Sequence, residues 1–249
     1  MPTMKTSFRL PSSAFCVALA ASCIVHSALC IAAEPPPAAA QEGVQLWEGG
    51  PFWADRNVGA GEPWENGYYF WWGDTLGSKR ENGNWVASDD ASRRRGFEWF
   101  PESTPTYGKS ADTLQSQGWT TADDVLAPEH DAARVQWGGA WRMPTRQELD
   151  DLCYNKCDWT WTTNGVNGFV VRGRGDYADA AIFLPAAGVG VEEKWWYKGT
   201  AGYLWASEPY AEGPNADCSW RLHFDKRGTG TDFCWDRHFG VPVRPVREE

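Results

Sequence analysis

The sequence predicts an α+β domain of short antiparallel strands, two main helices and long loops. Three observations support this class. Short apolar or aromatic runs recur between turn residues, one run alternates cleanly with a period of two, and only two segments carry helix-start signals. The strand-like runs occupy residues 53–58, 67–72, 168–172, 181–184, 203–206, 220–224 and 241–246.

The clearest strand signal lies in residues 219–225. Trp220, Leu222 and Phe224 fall on one face of an extended chain, and the polar residues beside them fall on the other. Because successive side chains of a strand point to opposite faces, this pattern predicts a half-buried antiparallel strand. Two glycines within residues 226–230 predict the turn that follows it.

Two segments carry helix signals. Thr145 and Glu148 have the spacing of a capping box, in which each side chain satisfies the main-chain amide of the other residue. A second, shorter helix is predicted to open with Pro128 in its first turn and to continue through residues 131–135. Residues 79–103 are polar and show neither a helical nor a strand period, so they are predicted to form a long surface loop.

The N-terminus has the composition of an export signal. Lys5 and Arg9 precede the apolar run of a predicted signal peptide at residues 1–33. Small residues end at position 33 and again at position 40, and either position suits cleavage. The cleavage site is therefore left open between these two positions. Two alternatives stay open: a lipoprotein signal that places a lipid anchor on Cys23, and an uncleaved transmembrane anchor. We therefore expect a secreted or cell-envelope protein.

The remaining chain is predicted to be a Pro/Ala linker at residues 34–43 and one domain at residues 44–249. The chain holds 33 acidic and 23 basic residues, a net charge of −10. Nucleic acids and anionic membranes are bound through basic patches, so neither is an expected partner. Membrane contact is expected only through an N-terminal lipid anchor.

Tryptophan dominates the composition of the domain. All 17 tryptophans lie beyond residue 46. An indole brings a large apolar area and one N–H donor, so it suits either a hydrophobic core or a sugar-binding platform. For any single tryptophan, we expect the core.

Four cysteines belong to the predicted domain, and export to an oxidising compartment permits disulfides. Cys218 and Cys234 bracket one predicted hairpin and are the favoured pair. Cys153 and Cys157 either pair or remain buried thiols, and sequence does not choose between connectivities.

Motifs for catalysis or metal binding are not found in the sequence. His130, His223 and His238 lack a spacing that would bind a metal from one helix. No G-x-S-x-G elbow and no Walker loop is present. Adjacent acid pairs are more typical of a solvated surface than of a glycosidase, which needs two carboxylates a set distance apart in space. We therefore expect no catalytic residue and no metal site.

Two loops, residues 188–202 and 208–218, are predicted to bind a ligand. The first holds three adjacent aromatic residues that cannot all point into one core. An exposed ring beside acids and a lysine suits stacking on the apolar face of a ligand with polar groups at its edge. The predicted ligand-binding residues are Glu192, Glu193, Trp195, Trp196, Tyr197, Tyr210 and Asp217.

Six ordered blocks of the sequence resemble the Fibrobacter succinogenes major paralogous domain. The block at residues 67–73 reads GYYFWWG, and the block at residues 137–145 reads WGGAWRMPT. The match spans nearly all of residues 47–247. The full set of blocks is residues 53–60, 67–73, 137–145, 157–161, 182–188 and 243–246.

The resemblance implies a C-type-lectin-like fold in an exported or surface protein of bacteria, related to the domain of formylglycine-generating enzymes. Those enzymes hold copper with a close cysteine pair that precedes the final strand. Cys218 and Cys234 are sixteen positions apart here, and Cys153 and Cys157 lie too early in the chain. The oxidase chemistry is therefore not expected to transfer.

The resemblance also bears on calcium. Calcium-dependent lectins of the wider fold use two short motifs that residues 208–210 and 234–236 match only in part. No cofactor is predicted, and calcium stays open.

The expected function is an exported, non-catalytic binding module that recognises a glycan or protein at the cell surface through its variable loops. The alternatives are an oxidase like the formylglycine-generating enzymes and an envelope structural protein.

Overall fold

The computed structural model describes residues 43–87, 100, 102–163, 165–211, 217–231 and 233–248. The predicted signal peptide, Cys23 and the linker up to residue 42 lie outside the described residues, as do residues 88–99 of the predicted long loop. Within the described part of the chain, no helix combines the length and apolar character needed to cross a membrane.

Sixteen short strands form five antiparallel sheets among the described residues. The first eight are β1 (Val44–Gln45), β2 (Phe52–Trp53), β3 (Tyr69–Phe70), β4 (Ser78–Glu81), β5 (Asn84–Ala87), β6 (Cys157–Thr162), β7 (Gly168–Gly173) and β8 (Ala181–Pro185). The other eight are β9 (Val189–Val191), β10 (Lys194–Trp196), β11 (Ala201–Pro209), β12 (Cys218–Asp225), β13 (Gly228–Gly230), β14 (Cys234–Asp236), β15 (Val241–Pro242) and β16 (Val246–Arg247).

The strands are ordered β1-β2-β16, β15-β3-β4-β5, β6-β7-β8 and β9-β10 in four of the sheets. In the fifth, here called the central sheet, β12 pairs with β11, β13 and β14. Within the described ranges the α-helices are α1 (Ala111–Ser116), α2 (Ala132–Trp137) and α3 (Arg146–Asp150). Small antiparallel sheets with few helices confirm the predicted α+β class.

Strand β12 confirms the predicted alternation on its apolar side, where its three large hydrophobic residues join one core cluster. The prediction of a solvated polar face is wrong. Arg221 and Asp225 lie on that face and are only 7% and 8% exposed. The face is covered because Tyr203 of β11 and Trp235 of β14 lie against Arg221.

Helix α3 begins as predicted. Thr145 Oγ1 accepts a hydrogen bond from Glu148 N (3.2 Å), and Thr145 N donates to Glu148 Oε2 (2.7 Å). The predicted second helix is two elements instead. Pro128 opens a 3₁₀ turn at Pro128–His130, and Asp131 then caps α2 by accepting from Arg134 N at 3.0 Å. Helix α1 is an element that the sequence did not predict.

The prediction of a loop at residues 79–103 is wrong over its first part, where β4 and β5 form a hairpin. Asn82 and Gly83 make the turn with φ of 49° and 81°. Positive φ at both central residues is the geometry that an Asn-Gly pair favours in hairpins. Charged residues in β4 concealed this strand, because they break the apolar alternation.

The runs predicted at residues 53–58, 67–72 and 241–246 overlap only two-residue strands, and β6 forms where no strand was predicted. The side chains of these three runs nevertheless contribute to the core. Seven of the sixteen described tryptophans are less than 9% exposed, and seven more are partly buried and pack against the core clusters, so the core is the main use of this residue. They are Trp47, Trp53, Trp72, Trp85, Trp141, Trp205 and Trp220.

Candidate functional site

A cleft of about 650 Å³ opens beside the central sheet. Four parts of the chain line it: the end of β6 with the loop to β7, the segment that joins β10 to β11, the end of β12 with its turn into β13, and β14. These parts are distant in sequence. The pairing of β12 with β11, β13 and β14 brings three of them together, and a hydrogen bond from Asn167 to Gly199 O joins the β6–β7 loop to them. We call this feature the aromatic cleft.

Stacked rings form one wall of the aromatic cleft. Tyr203 stacks on both His223 and Trp235, with centroid distances of 5.3 and 4.2 Å. The strand register produces this stack, because Tyr203 pairs with His223 and Trp235 pairs with Ser219 on the same face of β12. Tyr197 lies 6.3 Å from Tyr203 and is 52% exposed. Its ring is therefore accessible to a ligand.

Hydrogen bonds fix the segment that carries Tyr197. Asn167 Nδ2 donates to Gly199 O (2.7 Å), and Thr200 Oγ1 donates to Tyr197 O (2.9 Å). Ala201 N also donates to Tyr197 O at 3.0 Å. The exposed ring thus projects from an ordered turn, which lowers the entropy lost when a ligand binds.

One carboxylate lies in the cleft lining, and it is already bound. Arg227 donates to Asp225 Oδ2 from Nε (3.0 Å) and from a terminal nitrogen (2.7 Å), and its main-chain N donates to Oδ1 (2.7 Å). These bonds hold the pKa of Asp225 below its ordinary value. Lys226 lies between the two residues in the turn and is exposed.

A second cation lies against the aromatic wall. The guanidinium carbon of Arg221 is 4.5 Å from the ring centroid of Trp235 and 5.2 Å from that of Tyr203. Burial lowers the pKa of Arg221 to about 10 and raises that of Tyr203 to about 12. Burial, followed by the charge of Arg221, also lowers the pKa of His223. His223 is therefore neutral near pH 7, whereas Arg221 stays charged.

Of the seven predicted ligand-binding residues, Tyr197 is the one that lines the aromatic cleft. Glu192 and Glu193 form the exposed turn of the β9–β10 hairpin, a strand pair that had been expected to be a loop. Trp196 is 44% exposed beside Tyr197. Trp195 folds inward and donates its indole N–H to Ala187 O at 2.8 Å.

The two remaining predicted residues lie away from the cleft. Tyr210 packs edge-on against Trp220 with a centroid distance of 4.6 Å, on the opposite face of β12 from the cleft. The carbonyl oxygen of Asp217 accepts a hydrogen bond from Arg237 N at 2.8 Å. Residues 212–216 of this predicted loop lie outside the described residues.

Sequence reasoning missed most of the cleft lining. Trp161, Asn167 and Trp235 come from three separate segments, and no local pattern links them. His223 and Asp225 did carry a signal, since both belong to the polar face of the alternating strand. That face was assigned to solvent because the sequence does not show which strands cover it.

Among the described residues, Cys153, Cys157, Cys218 and Cys234 form no disulfide in the structure. Burial, followed by the neighbouring thiol of Cys234 and the acid Asp236, raises the pKa of Cys218. Cys218 pairs with Asp236 and Cys234 pairs with Trp220, so the two cysteines lie on one face of the β12–β14 pair, offset by two residues. Cys153 Sγ donates to Thr229 Oγ1 at 3.0 Å, and burial raises the pKa of Cys157 to about 12. The pairing of Cys218 with Cys234 stays a prediction.

Among the described residues, no group of three or more His, Cys, Asp or Glu side chains is arranged to hold a metal ion. Comparison with known proteins finds no matching family model, no matching curated protein and no matching solved structure.

Proposed function

We propose that the domain is an exported, non-catalytic module that binds a glycan in the aromatic cleft. One observation carries the proposal: accessible and stacked rings share the cleft with fixed polar groups. Sugars present apolar C–H faces and polar edges, so aromatic walls with a few placed polar groups suit them. The predicted export signal supports a site of action at the cell surface.

The charges of the lining argue for binding rather than hydrolysis. A glycosidase of the usual kind needs two carboxylates across the scissile bond. In the described lining, Asp225 is the single acid, and Arg227 occupies both of its oxygens. This arrangement leaves no second carboxylate for a general acid.

We also propose that the chain has the C-type-lectin-like fold of the Fibrobacter succinogenes major paralogous domain. The six ordered sequence blocks support this assignment. Two features agree with the assignment. The domain consists of small antiparallel sheets with few helices, and Arg244 binds the final block into its interior.

Calorimetric titration with a panel of bacterial, host and plant-wall glycans tests the function, with and without calcium. We expect at least one glycan to bind, and Trp235→Ala to weaken its binding at least about tenfold because a stacking surface is lost. Trp64→Ala is the matched control, since Trp64 is 53% exposed and does not line the cleft. Equal losses in both variants, or no binding to any glycan, would contradict the proposal.

A second candidate rests on the adjacent thiols of Cys218 and Cys234, which favour a copper-holding oxidase like the formylglycine-generating enzymes. The raised pKa of Cys218 opposes it, because copper binds the thiolate. Thiol titration of the native protein separates the candidates. If the two cysteines are disulfide-bonded, no thiolate pair remains for copper and this candidate fails.

A further inference from the structure

The aromatic cleft has a charge opposite to that of the chain. The chain carries a net charge of −10, yet the described cleft lining contains one acid and two permanent cations. The acid, Asp225, is matched by Arg227. Lys226 is left as an unmatched positive charge at the cleft.

Lys226 is positioned to meet a ligand. It lies in the two-residue turn between β12 and β13, and it forms no ion pair with any described residue. The ion pair between its neighbours fixes the turn around it, because Arg227 bonds Asp225 through both main chain and side chain. An exposed ammonium on an ordered turn is a suitable partner for a ligand anion.

Arg221 adds a second positive charge from behind the wall. It is 7% exposed, and its buried Nε has no hydrogen-bond acceptor among the described residues. Its guanidinium contacts the rings of Trp235 and Tyr203, which line the cleft. A buried charge is screened less by solvent than a surface charge, so its field extends into the cleft.

We propose that the bound glycan is acidic, with a hexuronic-acid carboxylate paired to Lys226 while the sugar face stacks on Trp235 and Tyr197. This inference rests on the proposed glycan-binding function and names the class of sugar. The same field repels cationic sugars and gives neutral sugars no charge contact. An acidic protein thus binds an acidic polymer through one locally cationic site.

Paired ligands that differ only in charge test the proposal. Titrations would use oligogalacturonate and its methyl ester, which keeps the ring and removes the negative charge. We expect the acid to bind at least about tenfold more tightly than the ester, as for a charge-assisted hydrogen bond. Affinity for the acid should fall as salt rises, because the charge contact is partly exposed.

Variants assign the effect to the cleft. Lys226→Met should weaken binding of the acid about tenfold and leave ester binding unchanged. Lys156→Met is the matched control, because Lys156 is exposed and lies outside the cleft lining. Lys226 lies in an exposed turn, so this variant is expected to fold.

The outcomes separate this inference from the proposed function. If acid and ester bind equally and Trp235→Ala weakens both, the glycan-binding function stands and the acidic preference is overturned. If Lys226→Met and Lys156→Met behave alike towards the acid, the assignment to Lys226 is overturned. If the acid, the ester and the rest of the glycan panel fail to bind, both proposals fail.

Discussion

Single residues fix segments that the short strands alone would not hold. Arg244 is completely buried and donates to Asn57 Oδ1 (2.9 Å), Ala54 O (3.0 Å) and Phe183 O (2.9 Å). Its partners are neutral oxygens, so hydrogen bonds rather than a counter-ion stabilise the buried guanidinium. Sequence does not predict this role, because arginine is rarely buried completely.

Arg244→Met should therefore destabilise the domain by at least about 3 kcal/mol, since it removes three hydrogen bonds, two of which are fully buried. Urea unfolding at pH 7 measures the change. Arg172→Met is the control, because Arg172 is exposed and donates to a single carbonyl oxygen. The control should lose less than about 1 kcal/mol. Equal losses would show that burial of Arg244 does not determine its contribution.

Tyr197 is held in a conformation that side chains seldom adopt, with φ of 59°. The left-handed region costs a non-glycine residue about 1 kcal/mol or more, and such strain often marks functional sites. We expect Tyr197→Gly to leave stability unchanged or to raise it by up to about 1 kcal/mol. Ligand affinity should nevertheless fall at least about tenfold, because the exposed ring is lost.

Glu192→Gly is the matched control for this prediction. Glu192 has φ of 52° and lies in an exposed turn outside the cleft lining. Glu192→Gly should also leave stability unchanged or raise it, and it should leave ligand affinity unchanged. Thermal unfolding and glycan titration of both variants give the comparison. A Tyr197→Gly protein that binds normally would remove Tyr197 from the site.

At the scale of elements, the sequence predicted what local chemistry determines. The Thr145–Glu148 capping box and the β12 alternation depend on neighbours in the chain, and both are present. The β4–β5 hairpin was missed although Asn82 and Gly83 encode its turn. The aromatic cleft was mostly missed because strand register assembles it, and register joins residues that no local pattern connects.

The pairing of β12 with β14 leads to a prediction for the cysteines. Glutathione disulfide should oxidise Cys218 and Cys234 to an intramolecular disulfide, with two molecules of glutathione released per bond. Closing a loop of about 15 residues should stabilise the domain by about 3 kcal/mol. Peptide mapping and unfolding with and without reductant measure both effects. A Cys153–Cys157 bridge as the main product would contradict the pairing.

At the scale of the whole molecule, histidine titration links folding to pH. Burial lowers the pKa of all three described histidines, His130, His223 and His238. Below about pH 6.5 the unfolded chain therefore binds protons more readily than the folded chain at these sites. Their contribution to stability falls as pH drops through that range. Burial raises the pKa of the buried acids Asp131 and Glu208. The folded chain therefore binds protons more readily at these two sites, and their contribution to stability rises as pH drops.

Site-resolved measurement is needed, since these contributions oppose one another. NMR titration of the imidazole protons should give each of the three histidines a pKa below about 6.5. An acidic glycan in the cleft should raise the pKa of His223 and leave that of His130 unchanged, because an added negative charge favours the imidazolium. A value for His223 above that of a model peptide in the free protein would contradict the burial of its ring.

The proposed function requires the aromatic cleft to be the ligand site, and tryptophan indole N–H signals report on this cleft most directly. In an NMR titration with oligogalacturonate, the indole signals of Trp161 and Trp235 should shift together and saturate. The signals of Trp72 and Trp205 should stay in place, because their N–H groups are buried in hydrogen bonds of 2.9 Å to main-chain oxygens. Saturable shifts confined to Trp64 or Trp195 would place the ligand elsewhere and contradict the account.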